Sequence, residues 1–228
     1  MPTAARRGAG LVAELIGPSG SGKSSLLQTL CGRDARIAAL PCPGRLEQLP
    51  QHLRNAPVWL PALLRSGEQP FTWPQARAMS YLGTWLASVR RLADEERVVL
   101  MDQGPVFRLA FLREFGAPAL TRRPAFWRWW EAACARWAAR IDLVLWLDAP
   151  DALLIERVRR RGAPHPIQGL SDAEARAFLG RYRRGFEEVV GRLRAAGGVS
   201  VLRLRGGETL DALAERARQA LAAGARAA

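Results

Sequence analysis

The stretch that decides the fold reads Gly17-Pro18-Ser19-Gly20-Ser21-Gly22-Lys23-Ser24, and Ser25 follows it directly. It matches the pattern G-x-x-x-x-G-K-[ST], in which glycines allow backbone N–H groups to turn inward around an anion. All residues from Gly17 to Ser25 are therefore candidates for binding nucleotide phosphates. We expect Lys23 to contact the β- and γ-phosphates and the Ser24 hydroxyl to bind Mg²⁺.

Lys23 is the only lysine among the 34 basic residues, so every other basic residue is an arginine. The chain has therefore kept lysine at a single position. An ammonium is a compact charge on a thin stem, whereas a planar guanidinium is too broad for a tight ring of backbone amides. The composition thus supports the same function for this loop as the spacing of its residues.

The phosphate-binding pattern needs a strand before it and a helix after it. The apolar run Leu11–Ile16 predicts a buried strand, and Ser24–Cys31 predicts a helix that ends at Gly32. The new helix directs its positive end at the same anion. Further along, strand and helix patterns alternate, with strands predicted at Arg36–Leu40, Arg97–Met101, Leu143–Leu147 and Val199–Leu204. This alternation predicts a three-layer α/β/α fold with a five-stranded parallel sheet and a helical lid.

The helices are predicted at Pro74–Ala93, Pro124–Ala139, Asp151–Arg161, from Ser171 to about Ala195, and Leu210–Leu221. The proline-rich stretch from Pro41 to Pro61 is not expected to form one regular element. We expect one domain over residues 1–228, with its core at about 10–222. Within it, a lid at about 151–170 and an acceptor-side region at about 36–95 are expected.

The formal net charge is +13, but the arginines are scattered over the whole length, which argues against a nucleic-acid groove. Cys31, Cys42 and Cys134 are odd in number and lack metal-binding spacing, so neither disulfides nor zinc are indicated. No apolar run approaches the length of a membrane span, and no signal peptide fits. We therefore expect a cytoplasmic protein.

Asp102 ends the apolar run Val98–Met101, at the sheet edge where ligands of open α/β folds bind. There it is a candidate to hold Mg²⁺ or to accept a proton from an attacking hydroxyl. A simpler interpretation is that it only caps the turn before Gly104. Asp148 ends the next strand in the same way, and the start of the following helix explains it equally well.

Arg157, Arg160 and Arg161 share one face of a predicted helix that follows a core strand. We take Arg157 and Arg161 as candidates that close over the triphosphate and stabilise charge in the transition state. The alternative is an ordinary exposed helix end, in which Glu156 and Arg160 form an i,i+4 pair.

Four tryptophans of the helix predicted at Pro124–Ala139 have the spacing of core residues, and an acceptor pocket is the alternative. They are Trp127, Trp129, Trp130 and Trp137. Arg45, Glu47 and Arg108 are the polar candidates for contacting an acceptor.

With these segments in this order, the chain resembles the P-loop nucleoside and nucleotide kinase family, and is most similar in layout to its thymidylate kinase branch. The resemblance rests on the loop Gly17–Ser25, the strand ending in Asp102, and the strand Asp142–Pro150 with its arginine-bearing helix Asp151–Gly162. It implies ATP and Mg²⁺ as cofactors and a small-molecule phosphoryl acceptor as partner. A homodimer is an assembly that the resemblance allows.

Two residues depart from the thymidylate kinase pattern. Ser19 stands where that branch has an aspartate, and Gln103 stands where it has an arginine. Both family residues serve the nucleotide acceptor, so these departures argue against thymidylate as the acceptor and leave ATP binding unaffected.

Other nucleotide-binding classes fit less well. The chain has no L-S-G-G-Q signature for a transporter ATPase, and its single lysine rules out a second, guanine-reading lysine of the GTPase type. We therefore expect a Mg·ATP-dependent phosphotransferase. The alternatives are an ATP-binding regulatory or accessory protein, or a kinase of a sugar or other non-nucleotide metabolite.

Overall fold

The computed structural model describes residues 10–64, 70–93 and 97–227. Residues 65–69, within the predicted acceptor-side region, lie outside this part. Five parallel strands form one sheet in the order β2-β3-β1-β4-β5. The strands are β1 Val12–Ile16, β2 Ile37–Ala39, β3 Val98–Asp102, β4 Leu143–Asp148 and β5 Ser200–Arg205. The predicted five-stranded parallel sheet is therefore confirmed.

Helices cover both faces of this sheet. They are α1 Lys23–Arg33, α2 Arg45–Leu63, α3 Trp73–Ala93, α4 Pro105–Phe115, α5 Pro118–Thr121, α6 Pro124–Ala138, α7 Asp151–Arg159, α8 Asp172–Gly197 and α9 Leu210–Ala227. Among the described residues, no helix combines the length and the apolar character that crossing a membrane requires.

The two faces of β1 belong to two different apolar cores, because successive side chains of a strand point to opposite sides. Val12 and Ile16 enter the larger core, which α3, α4, α6 and α8 complete. Ala13 and Leu15 enter the smaller core, which α1 and α9 complete. Three layers result, as the alternation of strands and helices predicts.

Trp130 and Trp137 are fully buried in the larger core, and Trp127 and Trp129 pack against it. The core interpretation of this tryptophan-rich helix is thus confirmed.

The prediction for the proline-rich stretch is wrong, because residues 45–63 form a single helix that contains Pro50, Pro57 and Pro61. Its inner face repeats every seven residues, with Gln48, Asn55 and Ala62 all buried. Packing of that face against α3, α5 and α6 outweighs the hydrogen bonds that the prolines remove.

Several predicted helix ends are also corrected. Helix α1 continues through Gly32 to Arg33, and Asp34 rather than the glycine caps it. Helix α7 ends at Arg159, so Arg161 lies just beyond it, in a loop that contains a short 3-10 helix at Pro166–Gly169. Ser171 caps α8 as expected: its hydroxyl accepts the Glu174 N–H at 3.3 Å.

Candidate active site

The predicted phosphate-binding loop, residues Gly17 to Gly22, connects β1 to α1 at the carboxyl edge of the sheet. It is called the phosphate loop below. Gly17, Gly20 and Gly22 have φ values of 146°, 87° and 97°, which residues other than glycine rarely adopt. A Cβ at Gly17 would lie 2.0 Å from the Leu147 carbonyl oxygen, so β4 also requires a glycine there. The predicted strand–loop–helix context is therefore present, and Lys23 is the first residue of α1.

The Lys23 side chain curls back into the loop and is only 7% exposed. Its Nζ donates hydrogen bonds to the carbonyl oxygens of Gly17 at 2.8 Å and Pro18 at 3.0 Å. Burial lowers the pKa of Lys23 to about 8; Asp102 opposes this shift and Arg161 adds to it. The ammonium is thus held inside the ring that the loop glycines form.

Ser24 and Asp102 meet across the carboxyl edge of the sheet, because Asp102 ends β3 directly beside β1. The Ser24 hydroxyl donates to Asp102 Oδ2 at 2.9 Å. The other oxygen, Asp102 Oδ1, is buried and has no hydrogen-bond partner among the described residues. A hydroxyl and a carboxylate with one unused oxygen are hard ligands of the kind that Mg²⁺ takes. These two residues therefore fit the metal implied by the loop.

Arg157 is the lid arginine that reaches the loop. Its guanidinium donates to the Gly20 carbonyl oxygen at 3.3 Å and to the Gly206 carbonyl oxygen at 3.4 Å. Arg161 acts on Lys23 through its charge. Arg160 forms the exposed i,i+4 pair with Glu156 at 3.2 Å, as the surface interpretation of this segment expects.

A cavity of about 490 Å³ opens beside the loop. This volume is within the usual range for small-molecule sites. It is lined by Gly20, Ser21, Gly22, Ser25, Arg157, Arg160, Arg161, Gly206, Glu208, Leu210 and Leu213. The predicted phosphate-binding loop, the predicted lid and the segment after β5 thus bound one space.

Asp148 has a structural role here. Arg183 of α8 binds both of its carboxylate oxygens, at 2.8 and 2.9 Å, and also binds Asp151 at 2.6 Å. The Asp148 carboxylate also accepts the N–H of Ala149 at 2.8 Å. These bonds join β4, α7 and α8, so Asp148 is explained without a role in the chemistry.

The role of Glu14 and the backbone conformation of Gln103, both near Asp102, escaped the sequence reasoning. Glu14 is fully buried in β1 and accepts the N–H groups of Val106 at 2.7 Å and Phe107 at 3.0 Å. Gln103 has a φ of 55°, the only positive value among the described non-glycine residues. A charged residue inside an apolar strand pattern was the available signal for Glu14, whereas nothing in the sequence marks the backbone of Gln103.

The acceptor-side candidates have different environments. Glu47 accepts the Gly44 N–H at 2.7 Å and so caps α2, and Arg45 is exposed beside it. Arg108 lies 5.0 Å from the Tyr81 ring and 5.9 Å from the Trp85 ring, and its buried Nε has no hydrogen-bond partner among the described residues. Of these candidates, only Arg108 is partly buried among aromatic rings.

No protein-family model matches this sequence, and no curated protein is significantly similar to it. Among solved structures, it is similar to deoxyadenosine kinase from M. mycoides with its products dCMP and a flexible dCDP bound. The identity is 10% and the TM-score 0.58, over 93% of this chain and 100% of that one. The same kinase with bound dCTP has 10% identity and a TM-score of 0.53, with the same coverage.

Both similar structures are nucleoside kinases, so the expected closeness to the thymidylate kinase branch is not confirmed. At this identity the similarity shows the fold alone. The five-stranded parallel sheet with helices on both faces is the P-loop kinase fold found in those deoxyadenosine kinases.

Proposed function

We propose that this protein is a Mg·ATP-dependent phosphotransferase that moves the γ-phosphoryl group to a small-molecule acceptor. The observation that carries the proposal is the meeting of Ser24 and Asp102 at 2.9 Å beside the buried Lys23. Phosphoryl transfer depends mostly on positioning and on neutralising charge, which this arrangement supplies.

Each part of the site has a role in this proposal. Backbone N–H groups of the loop Gly17–Ser25 hold the phosphates, and Lys23 neutralises the β- and γ-phosphates. Ser24 and Asp102 would hold Mg²⁺, which neutralises charge on the phosphate oxygens. Arg157 and Arg161 stabilise the charge that develops during transfer. Asp102 is also a candidate to accept the proton of an acceptor hydroxyl.

The acceptor that we propose is a nucleoside or a molecule of similar shape. The similar deoxyadenosine kinase has dCMP bound as a product, which supports a nucleoside-type acceptor. The reaction needs ATP and the cysteines Cys31, Cys42 and Cys134 are free, so we propose a cytoplasmic setting.

Lys23→Ala tests the proposal. We expect turnover of ATP with a deoxynucleoside acceptor to fall by about 10²–10³-fold, because a charge that stabilises the transition state is removed. ADP release is the measurement, and circular dichroism checks the fold. Arg36→Ala is a matched control, since Arg36 is 75% exposed and pairs with Asp34 far from the loop.

Turnover retained by Lys23→Ala would contradict the proposal. A second outcome would also contradict it: ATP raises the melting temperature, but no nucleoside, nucleoside monophosphate or sugar supports turnover. That result would point to an ATP-binding regulatory protein without kinase activity.

A further inference from the structure

The loop between α7 and α8 brings His165 onto the phosphate loop. His165 Nε2 lies 2.9 Å from the Ser19 hydroxyl oxygen. His165 Nδ1 accepts the Ile167 N–H at 3.2 Å, so the proton of the neutral ring is on Nε2. The imidazole therefore donates its Nε2–H to Ser19, and the lid and the phosphate loop are joined by a side chain that can carry a charge.

The loop is built to present this ring. The His165 N–H donates to Gln168 Oε1 at 3.0 Å, and the Gln168 amide donates to the carbonyl oxygens of Arg161 at 3.0 Å and Ala163 at 3.1 Å. The Phe178 ring on α8 packs against the imidazole in a T-shaped arrangement, with centroids 5.9 Å apart. His165 is thus held in place by its own loop and by α8.

Within the described part of the chain, the charged groups that shift the pKa of His165 are both cations. Burial, Arg161 and Lys23 each lower the pKa of His165, and Arg161 also lowers that of Lys23. The remaining groups on the ring, the Ser19 hydroxyl, the Ile167 N–H and the Phe178 ring, carry no charge. Arg161 and Lys23 therefore lie near a neutral imidazole, and an anion bound among these three groups would be stabilised by the two cations.

The position of Ser19 indicates which part of a nucleotide that anion is. Ser19 directly follows Pro18, whose carbonyl oxygen holds the Lys23 ammonium. Arg157 and the cavity meet the loop one residue further on, at Gly20. His165 therefore faces the end of the loop where the lysine reaches the outermost phosphates.

We propose that His165 is a catalytic residue whose Nε2–H donates to an oxygen of the γ-phosphoryl group during transfer. This role of His165 rests on the proposed function, since it requires a nucleoside triphosphate in the loop. His165 forms no covalent bond to the substrate in this step: its Nε2–H exchanges the Ser19 hydroxyl for a phosphoryl oxygen. One proton from solvent goes to Nδ1 when the anion arrives, and Nδ1 then releases the Ile167 N–H. The nearby negative charge favours the imidazolium, which stabilises the charge on the phosphoryl oxygens.

The chain has only two histidines, so ring signals from ¹³C-labelled histidine report on His165 directly. We expect a non-hydrolysable ATP analogue with Mg²⁺ to shift the His165 signal toward the imidazolium at neutral pH, and Mg·ADP to shift it much less. The spectrum of His165→Gln identifies the signal. His52, which bonds Ser80 at 2.8 Å and stacks on Trp73, is the internal control.

The outcomes separate this inference from the proposed function. If both nucleotides raise the melting temperature but shift the His165 signal equally, or not at all, the inference is overturned. If neither nucleotide binds wild-type protein, the proposed function fails and the inference fails with it.

Kinetics give a second test. We expect His165→Gln to lower kcat by about 10²-fold with little change in the KM for Mg·ATP, because the bond matters chiefly in the transition state. In the wild type, kcat should fall as pH rises through the pKa of the bound imidazolium, and this limb should be missing in the variant. Equal kcat for both proteins, or an unchanged pH profile in the variant, would contradict a catalytic role.

Discussion

Glu14 lies outside the candidate site but helps to position the turn that carries Asp102. It lies in the middle of β1, and its carboxylate accepts two N–H groups from the first turn of α4. A helix leaves those N–H groups without partners, so Glu14 caps α4 from another element. The turn that carries Asp102, Gln103 and Gly104 is held between the strand and this cap. A Cβ at Gly104 would lie 3.0 Å from Glu14 Cδ, which shows how closely the turn packs on the carboxyl group.

Glu14→Gln should change both stability and its pH dependence. Burial raises the pKa of Glu14 from 4.5 to about 8, although the two N–H donors oppose this shift. Between about pH 4.5 and 8 the folded state therefore binds more protons than the unfolded state, and the free energy of unfolding falls as pH rises through this range. Glutamine cannot titrate, so this slope should disappear, and the loss of one acceptor should cost about 1–3 kcal/mol.

Urea denaturation of both proteins across this pH range measures the effect. Equal slopes in wild type and variant would show that Glu14 has the same pKa folded and unfolded, contrary to this account.

At the scale of elements, α2 forms although three prolines interrupt its hydrogen bonds. The Asn55 amide donates to the Met79 carbonyl oxygen at 3.2 Å and accepts the Trp129 indole N–H at 3.0 Å, which ties α2 to α3 and α6. On the outer side of the helix, Leu46, Leu49, Leu53, Leu60 and Leu63 are exposed. The pattern of apolar residues alone would have turned the wrong face inward, because the buried face carries Gln48 and Asn55.

Substitutions on the two faces of α2 should differ strongly in cost. Asn55→Ala leaves the Trp129 indole N–H without its partner and removes the hydrogen bond to the Met79 carbonyl oxygen, so it should lower the free energy of unfolding by about 1–3 kcal/mol. Leu53→Ser alters a side chain that is 68% exposed, and should change it by less than about 0.5 kcal/mol. Chemical denaturation measures both. A larger loss from Leu53→Ser than from Asn55→Ala would show that the helix is oriented differently.

For the whole molecule, the net charge of +13 means that acidic conditions destabilise the folded state through repulsion among its positive charges. Hydrogen bonds from Arg36 lower the pKa of Asp34 to about 2, those from Ser171 lower that of Glu174, and those from Arg218 lower that of Glu215. The stability that these carboxylates supply is present above their ordinary pKa values and is lost as pH falls. Protonation also removes negative charge that offsets repulsion among the arginines.

The acidic effect and the titration of Glu14 together predict a stability optimum at weakly acidic pH. The lowered pKa values of His52 and His165 oppose the Glu14 effect, but their contribution is complete at about pH 6.5. Below about pH 4.5 the stability that the exposed carboxylates supply begins to be lost, and above it Glu14 begins to destabilise the folded state. Urea denaturation over a pH series locates the optimum, and added salt should flatten its acidic side by screening the repulsion. A free energy of unfolding that keeps rising up to pH 8 would contradict this prediction.

Local patterns predicted the central parts of the molecule well. Strands β1, β3 and β4 were recognisable because they are buried and apolar throughout or nearly so. The α2 helix was not, because its stability comes from packing against neighbours rather than from its own residues. Helix ends such as those of α1 and α7 shifted by a few residues for the same reason.

Local sequence was enough to specify the strand–loop–helix around Gly17–Lys23, since the spacing of Gly17, Gly22 and Lys23 and the flanking strand and helix are all local in the chain. It also determined that Asp102 would lie at the same sheet edge, because parallel strands end together. Only the tertiary structure decided that Asp102 bonds Ser24, that Glu14 caps α4, and that His165 rests on Ser19. These contacts join residues 78, 92 and 146 positions apart, and no local pattern records which distant side chains the packing brings together.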